Sequence, residues 1–318
     1  MTTVLFAILP EVVLLDVAGA AEAFRLASQL VPDSYDLQFV GTSSSLRSCV
    51  GLQLHKLQPL PAKVPDHSIV VVTGVTTAAL DLESEPFKQL TQWLASIARN
   101  ETVTLMCVCS GSLLAANAGL LRGRECTTHH DLVGQLAKLE PSATVHGNRI
   151  FVEDGQIMTS AGVTSGVDLA LHIIAQQLGP KIAVAVARDL VIYMRRTTAD
   201  PQLSAWVMHR NHIHPAVHKV QDAIARNPAA EWTSARLAGV ACMSARNLGR
   251  LFAEHAGCSP LDYVQRLRVA VAREMVMNSD LALERVAERS GFSSAHHLRR
   301  VWRRWEHVSP AEFRSTAR

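Results

Sequence analysis

The sequence predicts an α/β protein: an N-terminal three-layer α/β/α sandwich with a mainly parallel sheet, then an all-α C-terminal domain with two helix-turn-helix units. Two observations support this prediction. In the first half of the chain, short apolar, β-branched runs alternate with helical stretches, which is typical of parallel strands that helices cover on both faces. In the second half, one amphipathic helical pattern occurs twice, around Leu248 and around Leu298. A chain of 318 residues is long enough for two domains of ordinary size.

Four apolar runs in the N-terminal half predict buried strands, and the stretches between and after them predict helices. The strands are expected at residues 3–9, 35–41, 69–73 and 102–108. The helices are expected at residues 17–30, 85–99, 112–121, 164–178 and 181–196. Because the runs are apolar on both faces, they indicate a sheet inside a sandwich.

The last of these strands runs directly into Cys109-Ser110-Gly111, which predicts a sharp strand-to-helix turn of the nucleophile-elbow type. Such a turn holds the cysteine at a helix N-terminus, which we expect to lower the pKa of the thiol. The turn Thr73-Gly74 supplies a further backbone N–H group. Since small molecules bind outside the carboxyl ends of parallel strands, a pocket is predicted at this edge. A cysteine after a buried strand is often a small core residue, and the turn sequence is what favours the pocket.

Together these segments resemble the PfpI superfamily, which has the class I glutamine-amidotransferase-like fold. The resemblance covers roughly residues 3–180 and depends on Asp16, Thr73-Gly74, residues 107–111, Thr127-Thr128-His129, Asn148-Arg149, Asp154-Gly155 and residues 159–168. It implies a pocket formed by the elbow residue Cys109, the carboxylate of Asp16, the amide donors of Gly74 and Ser110, and the imidazole of His129. The chain departs from the family pattern at Ser110, where peptidase-like members have His, and at Val75, where a second Gly is usual.

Residues 197–215 break the helical periodicity around Asp200-Pro201 and His214-Pro215, which predicts a linker. The domains are therefore expected at residues 1–195 and 216–318, with the linker at 196–215. Four histidines of this region resemble a metal-binding tract: His209, His212, His214 and His218. Because they surround a proline in a hinge, we interpret them as solvated linker residues.

Each copy of the repeated pattern consists of a short helix, a turn and an amphipathic helix. The short helices are expected at residues 233–240 and 282–289, and the N-caps of the amphipathic helices at Ser244 and at Ser293 or Ser294. The second turn is one residue longer. The apolar faces consist of Leu248, Leu251, Phe252 and His255, and of Leu298, Val301, Trp302 and Trp305. The opposite faces carry Arg246, Asn247, Arg250 and Glu254, and His296, His297, Arg300, Arg303 and Arg304, with Arg299 beside them.

A helix-turn-helix unit places its second helix in the major groove of double-stranded DNA. The residues expected to bind DNA are Ser244, Arg246, Asn247 and Arg250 in the first copy, and Ser294, His296, His297, Arg299, Arg300 and Arg303 in the second. The alternative is that the arginines form only the solvated face of a helical bundle. It is disfavoured because the faces exclude Lys and nearly all acids. Gly249 lies inside the first of these helices and is expected to weaken it.

The charged residues are distributed unevenly between the two halves of the chain. From His212 onward, 16 Lys and Arg stand against 10 Asp and Glu, whereas the preceding residues carry 15 against 18. The net charges are therefore +6 and −3, which combine to the +3 of the whole chain. Fifteen of the sixteen cations are Arg, which forms paired hydrogen bonds to phosphate and guanine. The basic half is the one expected to bind DNA.

The segment from residue 232 to residue 314 resembles the DNA-binding domain of the AraC/XylS family of transcription regulators. The matching residues are Trp232, Leu237-Ala238, Met243-Ser244, Arg246, Leu248, Arg250, Phe252, Gly257, Ser259-Pro260, Tyr263, Arg266, Arg268, Gly291-Phe292, His297-Leu298, Arg300, Trp302, Ser309-Pro310 and Arg314. The resemblance implies a regulator that binds promoter DNA. An RNA-binding or scaffold role is disfavoured because no stacking aromatics interleave the arginines.

Three functions remain open for the N-terminal half. A thiol, a carboxylate and an imidazole suit covalent catalysis, as in a PfpI-class cysteine enzyme of the hydratase, amidase or glyoxalase type. Attachment to a DNA-binding half favours instead a pocket that senses a small-molecule effector, since a fold does not fix function. The third alternative is a purely structural dimerisation domain. We expect the sensor: a homodimer with no enzymatic activity, no cofactor and no metal site.

The beginning of the chain and its cysteines bear on where the protein works. The N-terminal apolar run has no basic leader and is interrupted by Pro10, Glu11 and Asp16, which argues against a signal peptide or membrane span. The six cysteines are scattered, as expected for reduced thiols, and Cys107-x-Cys109 lacks zinc-site spacing. A cytoplasmic protein is therefore expected.

Overall fold

The structure, a computed structural model, describes residues 1–192, 202, 205–206, 208–210, 212–306 and 308–316. Residue contacts divide the chain into two compact units, Met1–Gln202 and Leu203–Arg318. Much of the linker predicted at 196–215 lies outside the described residues, as do the last residues of the helix expected at 181–196.

The first unit is built around a seven-stranded sheet. Its strands, in chain order, are β1 (Thr2–Ile8), β2 (Tyr35–Gly41), β3 (Ser45–Arg47), β4 (Gln53–His55), β5 (Gln58–Pro59), β6 (Ile69–Val72), β7 (Thr104–Val108), β8 (Glu125–Cys126), β9 (Thr144–Val145), β10 (Phe151–Asp154) and β11 (Ile157–Ser160). The order across the main sheet is β10-β11-β7-β6-β1-β2-β5, and its neighbouring strands are parallel except for β10 and β11. The pairs β3-β4 and β8-β9 form two small separate sheets.

Helices cover both faces of this sheet. They are α1 (Leu14–Leu30), α2 (Glu85–Ile97), α3 (Gly111–Asn117), α4 (Val133–Leu139), α5 (Thr164–Leu178) and α6 (Pro180–Asp189). Because side chains alternate along a strand, Val4 and Phe6 of β1 join one apolar cluster with α1, α5 and α6. Leu5 and Ala7 join the opposite cluster with α2, α3 and α4. The predicted three-layer α/β/α sandwich with a mainly parallel sheet is therefore confirmed.

Some bounds differ from those that the sequence predicts. The antiparallel pair β10-β11 is not apparent from the sequence, because its strands have four residues each and alternation is uninformative at that length. Helix α3 ends at Asn117 rather than at residue 121, because Gly119 takes the left-handed conformation that ends helices. Strand β7 starts at Thr104, two residues later than expected.

The second unit is helical in the part that the structure describes. Its helices are α7 (Pro215–Arg226), α8 (Ser234–Val240), α9 (Ala245–Ala256), α10 (Pro260–Asn278), α11 (Leu283–Arg289), α12 (Ala295–Trp302) and α13 (Pro310–Thr316). The pairs α8-α9 and α11-α12 each pack on their own apolar cluster. Helix α10 belongs to both clusters, with Tyr263, Val264 and Leu267 in the first and Val269, Ala272 and Val276 in the second. None of the described helices is both long enough and apolar enough to cross a membrane.

The turns inside the two helix pairs have related geometry. Cys242 and Gly291 occupy corresponding positions, and both have positive φ, 54° and 85°. The N-cap of α9 is Ser244 and that of α12 is Ser294. The additional residue of the second turn is therefore Ser293, as the alignment of the two copies predicts.

Candidate functional site

Cys109 lies between the end of β7 and the start of α3. Its φ of 57° falls in the left-handed region, which non-glycine residues rarely adopt and which is enriched at functional turns. The N–H of Cys109 donates to the carbonyl of Ser160 at 3.0 Å, and the hydroxyl of Ser112 donates to the carbonyl of Cys109 at 2.9 Å. The turn thus has the geometry of a nucleophile elbow.

Two glycines close around this elbow. A Cβ atom on Gly74 would lie 2.7 Å from Oδ2 of Asp16 and 2.7 Å from Cβ of Cys109. A Cβ atom on Gly162, where φ is 86°, would lie 2.2 Å from Cβ of Cys109. Both distances are far shorter than a normal carbon contact, so neither position accepts a side chain. The structure brings Asp16, Gly74 and Cys109 together, as predicted. It adds Gly162, which the sequence alone does not single out, although Gly162 lies within the segment 159–168 that resembles the family.

Asp16 is fully buried beside the elbow. Its Oδ1 accepts a hydrogen bond of 2.6 Å from the N–H of Val163, whereas Oδ2 has no partner of normal geometry among the described residues. Burial raises the pKa of Asp16 to about 6, and the N–H groups of Val163 and Gly74 lower it by a smaller amount. The carboxyl group therefore offers an unpaired oxygen toward Gly74 and Cys109.

Cys109 is buried, with 7% of the residue exposed. Burial, and after it the charge of Asp16, raise the pKa of Cys109 to about 12, although the N–H of Ser110 acts to lower it. The expectation that the helix N-terminus lowers this pKa is therefore wrong. Helix α3 has only seven residues, and the loss of water around the sulfur outweighs its contribution. At neutral pH the thiol is protonated, and a thiol is a much weaker nucleophile than a thiolate.

Ser110 and Val75, the two departures from the family pattern, are hydrogen-bonded to each other. The hydroxyl of Ser110 donates to the carbonyl of Val75 at 3.0 Å and accepts from the N–H of Val75 at 2.8 Å. Both residues are buried. Since its hydroxyl is occupied, Ser110 can reach a ligand only through its backbone N–H.

His129 lies on a loop that is anchored at the elbow. The hydroxyl of Thr128 donates to the carbonyl of Cys109 at 3.0 Å, which holds the residue just before His129 against the turn. The hydrogen bond of the His129 ring is with the N–H of Asp131, at 3.4 Å, and the ring packs on His130 at 4.1 Å. Burial, and then the neighbouring His130, lower the pKa of His129. His129 is thus tied to the site through Thr128.

Helix α9 presents the first predicted DNA-binding surface. The hydroxyl of Ser244 accepts from the N–H of Asn247 at 3.3 Å and caps the helix. Arg246, Asn247 and Arg250 are exposed. The guanidinium of Arg250 lies 3.0 Å from a carboxylate oxygen of Glu254 and donates to the side-chain oxygen of Asn247 at 3.2 Å. A contact from Arg250 to DNA therefore has to compete with Glu254.

Helix α12 presents the second surface. Its N-cap, Ser294, accepts from the N–H of His297 at 3.1 Å. The exposed residues are His296, Arg299, Arg300 and Arg303, and the last of these follows the helix. His297 is only half-buried, its ring packs edge-on against Phe292, and burial followed by Arg300 lowers its pKa. The surface is therefore cationic through its arginines.

Three side chains differ from the helical pattern that the sequence predicts. His255 is partly exposed, at 30%, because the buried position in the last turn of α9 is Ala256. Trp305 lies beyond the end of α12 and is partly exposed. Arg304 donates to the side-chain oxygen of Gln265 at 3.1 Å and so packs against α10.

Two arginines of the family pattern are structural. Each joins backbone carbonyls that precede a helix-turn-helix pair. Arg268 donates to the carbonyls of Pro228 and Ala230 at 2.9 and 2.8 Å, and Arg314 donates to those of Val276 and Leu281 at 3.3 and 2.7 Å. Their charges therefore count toward the net +6, but their guanidinium groups are engaged by backbone carbonyls within the unit.

A sandwich with an elbow cysteine, joined to two helix-turn-helix pairs, defines a class of protein: a DNA-binding regulator with an enzyme-like N-terminal fold. Comparison with known families agrees. The DJ-1/PfpI family matches residues 2–176, and a helix-turn-helix domain matches residues 237–316. The chain belongs to the DJ-1/PfpI family, and it is a transcription regulator with an AraC-type DNA-binding domain.

Individual relatives match either nearly the whole chain or a part of it. The HTH-type transcriptional regulator CdhR of Pseudomonas aeruginosa is 28% identical over 315 residues, which cover 98% of this chain and 90% of that protein. An isonitrile hydratase of Pseudomonas putida is 30% identical over 188 residues, 58% of this chain and 76% of the enzyme. The crystal structure of an AraC family transcriptional regulator from Pseudomonas putida has the fold of 60% of this chain, with a TM-score of 0.54, 21% identity and 100% of its own chain covered.

Proposed function

We propose that the N-terminal unit is a sensor: it binds a small-molecule effector at the elbow, and this binding changes how the C-terminal unit engages a promoter. The pocket consists of Asp16, Gly74, Cys109, Ser110 and His129. The observation that carries the proposal is the burial of Cys109 in an elbow with φ 57°, which keeps the geometry of a nucleophile elbow. Burial raises the pKa of the thiol to about 12, away from the thiolate that covalent catalysis requires.

The unpaired Oδ2 of Asp16 supports an effector with a hydrogen-bond donor or a positive charge. A buried carboxylate oxygen without a partner is destabilising by about 1–3 kcal/mol or more. A donor on the ligand removes that penalty. The glycines at 74 and 162 leave little space at the sulfur, so the effector has to be small or has to reach the elbow with one narrow group.

A described residue near the end of the first unit gives a physical route from the pocket toward the DNA-binding part. The side-chain amide of Gln202 donates to the carbonyl of Thr128 at 2.8 Å and to the hydroxyl of Thr127 at 3.1 Å. Thr128 in turn bonds the carbonyl of Cys109. An effector that shifts this loop changes the anchoring of the chain just before the second unit.

We assign Arg246, Asn247 and Arg250 to the bases of one major groove, and His296, His297 and Arg300 to the next, about 34 Å along the duplex. The remaining DNA-binding residues, Ser244, Ser294, Arg299 and Arg303, are assigned to phosphates. We also propose a sensor domain at residues 1–195, a linker at 196–215, a DNA-binding domain at 216–318, and a homodimer, the commonest symmetric assembly.

Selection of bound fragments from a random duplex pool, with and without candidate metabolites, tests the whole proposal. Replacing Arg300 with Ala should weaken binding by about 1–3 kcal/mol and relax one base position, whereas replacing Arg303 with Ala should weaken all sequences alike. If the protein retained no duplex at low ionic strength, or if both variants bound every fragment as well as the native chain, the assignment would be wrong.

The similarity to an isonitrile hydratase favours one second candidate, a PfpI-class cysteine enzyme with an appended DNA-binding domain. Cys109→Ser separates the two. A sensor with this change keeps its promoter response with a modest change in effector affinity. An enzyme loses turnover, because the hydroxyl cannot replace the sulfur nucleophile.

A further inference from the structure

The loop beside the elbow places three potential metal ligands together. His129, His130 and Asp131 have ligand atoms that all lie within 4.8 Å of one another. Nδ1 of His129 lies 3.6 Å from one carboxylate oxygen of Asp131, and Nε2 of His130 lies 3.4 Å from the other. Nearness along the chain does not by itself make side chains converge, since the helical turn of residues 130–132 also sets their directions.

Two of these distances are close to those of a coordination shell. Nitrogen and oxygen ligands lie about 2.0–2.2 Å from Zn²⁺ in a tetrahedral site, which separates any two of them by roughly 3.3–3.6 Å. The two imidazole–carboxylate distances, 3.6 and 3.4 Å, are near that range but end on different oxygens of Asp131, and the whole set of ligand atoms lies within 4.8 Å. An ion can therefore be bound once the three exposed or partly exposed side chains turn toward one another.

The backbone that carries the three residues is held on both sides. Before them, the N–H of Thr127 donates a 2.8 Å hydrogen bond to the hydroxyl of Thr159, and the hydroxyl of Thr128 donates to the carbonyl of Cys109. After them, Leu132 is buried in the core. The side chains of His130 and Asp131 are exposed, at 38% and 64%, which gives an ion free access. Coordination through Nδ1 of His129 would give up only the long 3.4 Å bond from the N–H of Asp131.

We infer that His129, His130 and Asp131 form a binding site for a divalent transition-metal cation such as Zn²⁺, Ni²⁺ or Co²⁺, where the sequence alone predicts no metal site. Two imidazoles and one carboxylate suit these ions, whereas Mg²⁺ and Ca²⁺ prefer oxygen ligands throughout. Three protein ligands leave at least one coordination position for water or another donor.

The test uses the full-length chain without an affinity tag, freed of metal with a chelator and titrated with Co²⁺ and Zn²⁺. We expect one equivalent to bind per chain, with the visible absorption of nitrogen- and oxygen-ligated Co²⁺. His130→Ala and Asp131→Asn should each raise the dissociation constant at least about tenfold, since even losing a supporting contact of a ligand has that effect. Both positions are exposed, and circular dichroism checks that the variants fold.

A second group of imidazoles supplies the matched control. In the C-terminal unit, the rings of His214 and His255 lie 4.6 Å apart, but among the described residues they belong to no group of three or more clustered metal-ligating side chains. The double change His214→Ala, His255→Ala should leave metal binding unaltered. The inference is overturned if no saturable binding occurs, if the loop variants bind as tightly as the native chain, or if only the double variant loses the metal. None of these outcomes bears on the proposed sensor role, which the promoter experiments test.

Discussion

The carboxyl group of Asp16 makes the stability of the protein depend on pH. Its pKa is about 6 in the folded protein against 3.8 in the unfolded chain. The folded state therefore binds the proton more tightly, and the protein loses stability as the pH rises from about 4 to about 6.

Asp16→Asn removes this ionisation, so the variant should be more stable than the native chain at pH 7.5, by up to about 3 kcal/mol. The difference should shrink toward pH 4, where the native carboxyl group is protonated. Urea unfolding from pH 4 to pH 8 measures it. Glu101→Gln, which removes a carboxylate at an exposed position, serves as the control. A variant that was less stable at every pH would contradict the argument.

Gly162 should be far less replaceable than Gly155, which also has a positive φ. Gly162→Ala adds a carbon 2.2 Å from Cβ of Cys109 at a φ of 86°. Overpacking and left-handed strain together should lower the free energy of unfolding by at least about 3 kcal/mol. Gly155→Ala has the same kind of φ, 61°, but its new carbon would meet only the end of the Arg124 side chain at 3.6 Å. Its loss should be about 1 kcal/mol, and equal losses at the two positions would exclude crowding as the cause.

Glu254→Gln should strengthen DNA binding. The change frees Arg250 from its carboxylate partner and removes a negative charge from the surface of α9. An exposed pair is worth at most about 1 kcal/mol, so the affinity should rise about two- to fivefold at low salt. Glu22→Gln on α1 frees Arg25 with the same change in charge, outside the DNA-binding unit. Fluorescence anisotropy measures the DNA affinity of both variants. If the affinity rose equally in both, the lost negative charge alone would explain the increase, and the release of Arg250 would not.

The residues of the elbow could be predicted from the sequence because their types and order are informative by themselves. Cys109-Ser110-Gly111 after a buried strand indicates the turn. Gly74 follows another buried strand, and since the carboxyl ends of parallel strands lie at one edge of a sheet, the sequence also predicts that Gly74 and Cys109 lie near each other. The protonation state of the thiol could not be predicted, because it depends on how completely the folded chain excludes water. The bond between Ser110 and Val75 also joins positions 35 residues apart, and the sequence pattern does not couple them.

Helix α9 contains a residue that lowers its stability. Gly249 lies in its interior, and a Cβ atom there would meet no other atom within 4 Å. Gly249→Ala should therefore raise the free energy of unfolding by about 1 kcal/mol, because alanine loses less conformational entropy in a helix. Gly257→Ala has equal space but a φ of 65°, and it should destabilise by about 1 kcal/mol. Thermal unfolding of both variants checks the opposite signs; two stabilised variants would refute the argument.

The layers and the helix pairs could be predicted because buried strands and amphipathic helices leave strong periodic patterns. Elements of two to four residues, such as β8 and β10, leave no such pattern. The full extent of α10 is also hidden, since it packs against two clusters in turn and its apolar residues do not form one continuous stripe.

Across the whole molecule, DNA binding and the proposed effector binding should respond differently to salt. The DNA-binding part carries the net charge of +6, and releasing ions from six to ten phosphates lowers DNA affinity by about 10³–10⁵ between 50 and 200 mM salt. An effector held in a buried pocket displaces few ions, so its affinity should change by less than about threefold. Calorimetry and anisotropy over this range measure both. A steep salt dependence of effector binding would place that ligand on the charged surface instead of at the elbow.

Helix α10 has consequences for the promoter as well as for the protein. Its 19 residues form a strut about 28 Å long that packs against both helix pairs. Because an α-helix of this kind is rigid, it fixes the distance between the two helix pairs. Five base pairs added to the middle of a target, about half a turn of the duplex, would move one of the two contacted segments to the opposite side of the DNA. With α9 and α12 in successive major grooves, as proposed, a target has to keep the distance between its two contacted segments as strictly as its base sequence.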